Sequence, residues 1–277
     1  MQYKFHVSVL NSDQFDIVTG YDNDEISRIY VSSYIALHSP ECLRKIENKK
    51  IYLSLPFVLR DKYVSTFERI LNVFDFDGFL IRNNEEFSYI NSIFGDDHTK
   101  AVALDCGMYI LNSDALCFYA ENSRIKISDF YNSYELNQKE QCLLDEAIKE
   151  KCKMDIASSN VIYGRIPMMI SANCIKKTVG CCDGAAGFND LKDRTDKYSP
   201  VWSDCDFCTN IIYNSVPLSL HRYFGFISQK GNMRLDFTNE NKAQVKNVID
   251  FFVSGCDRDE KAPDYEYTNG HFNRKVE

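Results

Sequence analysis

Eleven cysteines occur in the chain, and five of them, Cys174, Cys181, Cys182, Cys205 and Cys208, fall within 35 residues. Thiolates are soft ligands, and four gathered from a strand end and two loops make a metal site. Cys205-x-x-Cys208 can grip one metal through both sulfurs. Cys174 with Cys181 or Cys182 can do the same across a loop of six or seven residues. The adjacent pair then gives one ligand and one bystander. The spacing follows neither the zinc-ribbon nor the bacterial ferredoxin rule, and on spacing alone zinc stands ahead of iron–sulfur. The remaining cysteines are scattered. Cys117 and Cys142 lie beside apolar helix faces and read as small core residues.

Other chemistry-bearing residues surround this stretch. Lys176, Lys177, Lys192, Arg194 and Lys197 crowd the same loop and could meet phosphates or an anionic small molecule. Asp183, Asp190, Asp193 and Asp196 interleave with them, and a solvated mixed-charge loop is the plainer reading. Arg165, Asp105 and Glu135 fall at predicted strand ends or helix entries. In a barrel those positions share one mouth. The five histidines are isolated, and neither His-Glu-x-x-His nor Gly-x-Ser-x-Gly occurs, so no hydrolytic motif is visible.

These residues need a scaffold, and the first half of the chain supplies one. Short apolar runs at Tyr3–Leu10, Arg28–Val31, Ile51–Leu55, Gly78–Ile81, Ala101–Leu104, Ile125–Ser128 and Val161–Ile170 alternate with helical patterns. Arg60–Phe74 has helical spacing. Asn83 with Glu86, and Asn137 with Glu140, form capping boxes; the second leads a helix with Leu143, Leu144, Ala147 and Ile148 inside. About seven β–α units at roughly 25-residue spacing predict a parallel sheet covered by helices. The expected fold is α/β: a (β/α) TIM-like barrel, complete or lacking a unit, followed by a small cysteine-rich α+β lobe. No Gly-x-Gly-x-x-Gly follows any strand, which counts against an open nucleotide-binding sheet. The expected division is a barrel over residues 1–172, a lobe with a C-terminal helix over 173–256, and a polar, frayed tail over 257–277. Cys174–Pro200 reads as loop, and Val201–Ile212 and Tyr223–Phe237 as strands. Thr238 and Glu240 start the last helix, whose inner face is Val245, Val248, Ile249 and Phe252, and Gly255 ends it.

Bulk properties set the bounds. The chain has 277 residues, 44% hydrophobic and 26% charged, enough for a sizeable core. A net charge of −8 gives no global basic field, so any nucleic-acid contact needs a local patch. No apolar run approaches the ~18 residues of a membrane span, and the first residues lack the apolar run of a signal peptide. A cytoplasmic protein with reduced thiols is expected.

At Tyr163-Gly-Arg-Ile-Pro-Met-Met-Ile-Ser-Ala-Asn-Cys174 the chain resembles the collagenase-like peptidase family of unassigned catalytic type, found widely in bacteria. Ile51–Pro56, Asp77–Arg82, Asp105 with Asn112, Ser133-Tyr-Glu-Leu-Asn137, Leu191-Lys-Asp-Arg194, Pro200-Val201, Cys205-x-x-Cys208, Tyr213–Leu218 and Phe237-Thr-Asn-Glu240 follow in the family's order. The likeness runs from about Val7 to Phe252 and is greatest to the C-terminal half of the long clostridial-type members. It implies that an upstream barrel and an inserted domain are absent, the chain being a short member, a truncation, or a split subunit whose partner subunit supplies the missing N-terminal half. It further implies a 4Fe-4S cluster in place of zinc, on Cys174, Cys205, Cys208 and one of Cys181 and Cys182, with Cys182 slightly favoured. Better-understood members support hydroxylation of tRNA, ribosomal RNA or a quinone precursor, and some use prephenate as the oxygen source.

Three functions are therefore expected to compete. The first is a cluster-dependent RNA-modification protein. There Arg165 would grip an anionic small-molecule cosubstrate, Lys176, Lys177 and Arg194 would meet tRNA or rRNA phosphates, and Glu135 or Asp105 would handle protons. The second is a peptidase, using zinc-bound water or a thiol. The third is a non-catalytic, metal-stapled partner subunit.

Overall fold

The computed structural model describes residues 3–21, 24–152, 156–254 and 265–274. Eight parallel strands close into a barrel: β1 (Phe5–Val9), β2 (Ile26–Ser32), β3 (Lys50–Ser54), β4 (Gly78–Ile81), β5 (Ala101–Leu104), β6 (Lys126–Tyr131), β7 (Ala157–Gly164) and, late in the chain, β13 (Met233–Asp236). Strand β13 fills the gap between β7 and β1, pairing Phe5 with Met233 and Asn160 with Met233. The barrel is complete: its eighth strand comes from the segment expected to form the lobe.

Helices ring the barrel. They are α1 (Ser12–Thr19), α2 (Ser33–His38), α3 (Val64–Leu71), α4 (Asn84–Phe94), α5 (Ser113–Asn122), α6 (Gln138–Lys151), the single turn α8 (Phe224–Ile227) and α9 (Lys242–Val253). Asparagine starts five of them. Asn11, Asn83, Asn112, Asn137 and Asn241 each accept a main-chain N–H of the first turn, satisfying a donor the helix cannot. The Asn137–Glu140 box is complete. The Asn83 box is half made: Glu86 Oε2 accepts from the Arg82 N–H instead, 2.8 Å away, one residue before the cap.

Strand β7 stops at Gly164, so the predicted strand Val161–Ile170 is two. Gly164 has φ 141°, and a Cβ there would lie 2.6 Å from the Asp236 carbonyl oxygen. Only glycine lets β13 approach. The chain then leaves the barrel as β8 (Pro167–Ser171), the turn α7 (Ile175–Thr178), β9 (Gly187–Lys192), β10 (Tyr198–Asp204) and β11 (Thr209–Tyr213). These strands make an antiparallel sheet in the order β8-β11-β10-β9. The expected strand Val201–Ile212 is the β10–β11 hairpin, and the expected loop 174–200 contains β9. Trp202, Ile211 and Tyr213 pack this sheet onto Leu10, Tyr34 and Phe57 at the barrel rim. Short β12 (Leu218–Ser219) returns antiparallel to β7, and the expected strand Tyr223–Phe237 is α8 followed by β13.

Three further expectations change. Cys117 of α5 and Cys152, just after α6, are disulfide-bonded with Cα atoms 5.7 Å apart, so these two thiols are not reduced. Leu143 of α6 is 55% exposed; the buried face is Gln141, Leu144 and Ile148, because the helix is rotated from its apolar tally. Residues 265–274 pack against the barrel. Phe272 is buried against Tyr223 and Phe226, and Thr268 exchanges main-chain hydrogen bonds with Ser219 and Pro217. The last helix buries Val245, Val248, Ile249 and Phe252 as expected, though Asn241 caps it. Gly255, its expected end, lies outside the described residues.

Candidate active site at the barrel mouth

The barrel interior sets a polar group among the apolar side chains of Leu80, Ala103 and Val161. Arg28 and Tyr30 of β2, Asp129 and Tyr131 of β6, His6 of β1 and Tyr52 of β3 are all buried. Arg28 pairs with Asp129 at 2.6 Å and lies over the Tyr52 ring at 4.3 Å. The Tyr131 hydroxyl meets His6 Nδ1 at 2.6 Å and the Tyr30 hydroxyl at 2.9 Å. Barrel interiors are usually filled with branched apolar side chains. Here burial costs are met by ion pairs and ring–cation contacts. Burial, seconded by the Arg28 charge, drives the His6 imidazole well below its ordinary pKa and keeps it neutral.

Next along the axis stands Arg234, 1% exposed. Its Nη2 donates to Asp105 Oδ1 at 2.7 Å and to Asp236 Oδ2 at 2.9 Å, and its Nε to Asp236 Oδ1 at 2.6 Å. Its guanidinium lies 4.0 Å from the centre of the Tyr131 ring, and Nη1 has no hydrogen-bond partner among the described residues. Arg82 donates from Nε to Asp105 Oδ2 at 2.9 Å and from Nη1 to the Leu55 carbonyl, and stacks on Phe57. Burial alone would raise the Asp105 carboxyl, but Arg234 and Arg82 outweigh it and hold the pKa at about 2. For Asp236 burial wins over Arg234, and its carboxyl is raised.

These groups wall a cavity of about 620 Å³ at the C-terminal mouth, a size suited to a small-molecule ligand. All three expected mouth residues, Arg165, Asp105 and Glu135, line it. Their roles differ from expectation. Asp105 is held ionised between two guanidinium groups, so it orients Arg82 and Arg234 and is ill suited to move protons near neutrality. Arg165 already donates from Nε to Asn239 Oδ1 at 3.1 Å and from Nη1 to the carbonyls of Asn214 and Ser215. It latches two rim loops. Glu135 is exposed.

The small sheet roofs the cavity with Met168, Ile170, Trp202, Asp204, Ile211 and Tyr213. Burial lifts Asp204 to about 6, despite the Phe207 N–H that bonds it. Asp204 precedes Cys205, and the Cys205–Cys208 turn is strapped to the barrel. Phe207 is fully buried, Arg60 Nη2 donates to the carbonyls of Phe207 at 2.5 Å and Cys208 at 2.9 Å, and His38 meets Asp206 at 2.8 Å. Cys208 has φ 52°, a left-handed conformation uncommon away from glycine.

Cys174 begins α7 at the same end of this sheet. The Lys177 N–H, seconded by the Lys176 N–H and Asn210, holds its thiol below the usual pKa. Burial raises the Cys205 thiol, against the pull of Lys176, and the charges of Cys182 and Cys174 add to the rise. Lys177 Nζ lies 4.0 Å from Cys208 Sγ. Lys176 and Lys177 thus stand beside the thiols of this stretch. As the side chains stand, no group of three or more Cys, His, Asp or Glu among the described residues is disposed to hold a metal ion. Lys176 also binds Asp183 and the Ala185 carbonyl. Arg194 lies apart, on the turn joining β9 to β10. The hairpin register puts that turn five pairs from the cysteine end, roughly 17 Å away.

Sequence reading missed Arg234, Arg82, Asp236 and Asp204. Arg234 and Asp236 sit on a strand taken to belong to the lobe, Arg82 closes the Asp77–Arg82 stretch read only as a barrel strand, and Asp204 carries no motif. No protein-family model, curated protein or solved structure matches the chain. The likeness to collagenase-like peptidases is an expectation from the sequence motifs alone. No described helix is long and apolar enough to cross a membrane.

Proposed function

We propose that the mouth cavity binds an anionic substrate and that the chain serves iron–sulfur-dependent hydroxylation of RNA. The observation that carries the reading is the meeting of two features at one rim. A cavity walled by Arg82 and Arg234 is roofed by a sheet whose end, one residue beyond the cavity-lining Asp204, bears the cysteines. Thiolates among lysine ammonium groups suit a 4Fe-4S cluster in donor chemistry, and the residues to hold it are Cys174, Cys182, Cys205 and Cys208. Cys182 is taken as the ligand of the adjacent pair and Cys181 as its bystander, following the family likeness. When bound, such a cluster supplies one-electron transfer.

The chain's own residues have separate tasks. Arg234 lines the cavity, and its Nη1, buried and without a partner among the described residues, is the guanidinium N–H that a small shift of the wall would offer to a substrate anion. Asp105 fixes that guanidinium from behind, and Tyr131 supports its face. Asp204, with a carboxyl near 6, can both take and return a proton near neutrality. Trp202 and Phe57 exclude water from the same space. The peptidase reading finds less support, because burial raises the Cys106 thiol of the cavity wall and leaves it a poor nucleophile. RNA from cells with and without the chain, digested to nucleosides and weighed by mass spectrometry, tests the proposal. A nucleoside with one added oxygen should depend on wild-type chain and vanish with Arg234→Met. Identical nucleoside profiles would refute it.

A further inference from the structure

Beside the mouth, residues 265–274 run from β12, where the Thr268 carbonyl accepts from Ser219 N–H, to the start of α6, where the Phe272 carbonyl accepts from Gln138 N–H, and contribute Thr268, Gly270 and His271 to the cavity wall. Beneath them lies a second, small space of about 20 Å³, walled by Asn132, Asn160, Asn269 and Phe272 among others. That volume holds one water and little else. Asn132 Oδ1, Asn160 Nδ2 and Asn269 Oδ1 are buried without a hydrogen-bond partner among the described residues, and all three belong to residues that wall this space. Asn132 and Asn160 are each 3% exposed. A buried amide atom without a partner is costly.

The amide orientations are fixed by their neighbours. Gln141 Nε2 donates to the Leu136 carbonyl, which turns Gln141 Oε1 towards Asn132 Nδ2. Asn132 Nδ2 also donates to Ser158 Oγ at 2.9 Å and towards Asn160 Oδ1 at 3.4 Å. Asn132 is thereby left with an acceptor to satisfy and Asn160 with a donor. Asn269 adds a second acceptor.

We propose that this space is a binding site for a single structural water, which accepts from Asn160 Nδ2 and donates to Asn132 Oδ1 and Asn269 Oδ1. One donor and two acceptors match a water's capacity. A metal cation does not match, because the Asn160 N–H would point at it. The water ties the 265–274 segment to the end of β6 and the middle of β7, so the segment stays in place as a wall of the mouth.

A crystal structure of the wild-type protein at a resolution that shows waters is the first test. A peak within hydrogen-bond distance of all three amide atoms is expected. An empty space, or a cation with shorter ligand distances, overturns the proposal. Amide hydrogen exchange is the second test. Asn269→Ala should speed exchange across 265–274 by roughly fivefold, the worth of one hydrogen bond, and leave the strands of the barrel unchanged. Unchanged exchange in the segment would show that the water does not fasten it.

Discussion

Removing Arg234 is the sharpest perturbation of the site. Its guanidinium serves both Asp105 and Asp236, and all three side chains are largely withdrawn from water. The depression of the Asp105 carboxyl from 3.8 to about 2 corresponds to roughly 2.5 kcal/mol of charge stabilisation, to which Arg82 also contributes. Asp236 has no second cation among the described ion pairs. Taking one partner from a buried pair leaves an uncompensated charge, at about 3–5 kcal/mol. Arg234→Met should therefore cost about 3–5 kcal/mol near pH ~7.5. The loss has a definite pH dependence. Without Arg234 the folded-state pKa of both carboxyls rises. A raised carboxyl favours folding below its unfolded value, and that advantage is lost as pH rises through the folded one. The deficit should shrink towards pH ~5. Urea unfolding of both proteins, followed by circular dichroism at the two pH values, measures this. A deficit below about 1 kcal/mol that is equal at both pH values would refute the reasoning.

Two further substitutions probe the scaffold. Burial lifts Glu86 to about 8, with the Arg82 N–H offsetting only part. Its contribution to stability is present below its ordinary 4.5 and is lost as pH rises towards 8. Glu86→Gln should raise the urea midpoint near the upper value, by the equivalent of about 1–3 kcal/mol, and leave it unchanged below the lower one. Midpoints that match wild type at both would contradict this. Gly78→Ala puts a Cβ 2.1 Å from the Ala101 carbonyl oxygen and 2.6 Å from the Tyr52 ring. It should cost about 1–3 kcal/mol or more; an unaltered thermal midpoint would show that β4 can move.

The barrel was legible because its strands are apolar runs of β-branched residues and its helices start at asparagine caps. Strands β4 and β5 and the face of α9 follow directly from such patterns, whereas β6 runs three residues past the expected Ile125–Ser128 because it carries Asp129 inside the barrel. The end of the chain was harder. Strand β13 is short and carries Arg234 and Asp236, so its polarity hid a barrel strand. The Val161–Ile170 run looked continuous because Gly164 breaks a strand by its φ, without changing hydropathy. Helices α1 and α2 are too short for a clear period, and α2 follows β2 with no turn residue between. The cysteines and the mouth positions Arg165, Asp105 and Glu135 were found from spacing and topology. Their partners were not, because ion pairs between β5, β4 and β13 are spatial. The disulfide also escaped, since Cys117 and Cys152 meet only through the packing of α5 on α6.

The central claim is that the thiols at the rim hold an iron–sulfur cluster. Anaerobic purification, followed by assay of iron, acid-labile sulfide and the visible spectrum, tests it directly. Brown protein with about four irons and four sulfides per chain is expected, bleached by Cys174→Ser, Cys182→Ser, Cys205→Ser or Cys208→Ser and retained in Cys181→Ser. Colourless protein that carries one zinc, or no metal after reconstitution with iron and sulfide, would contradict it.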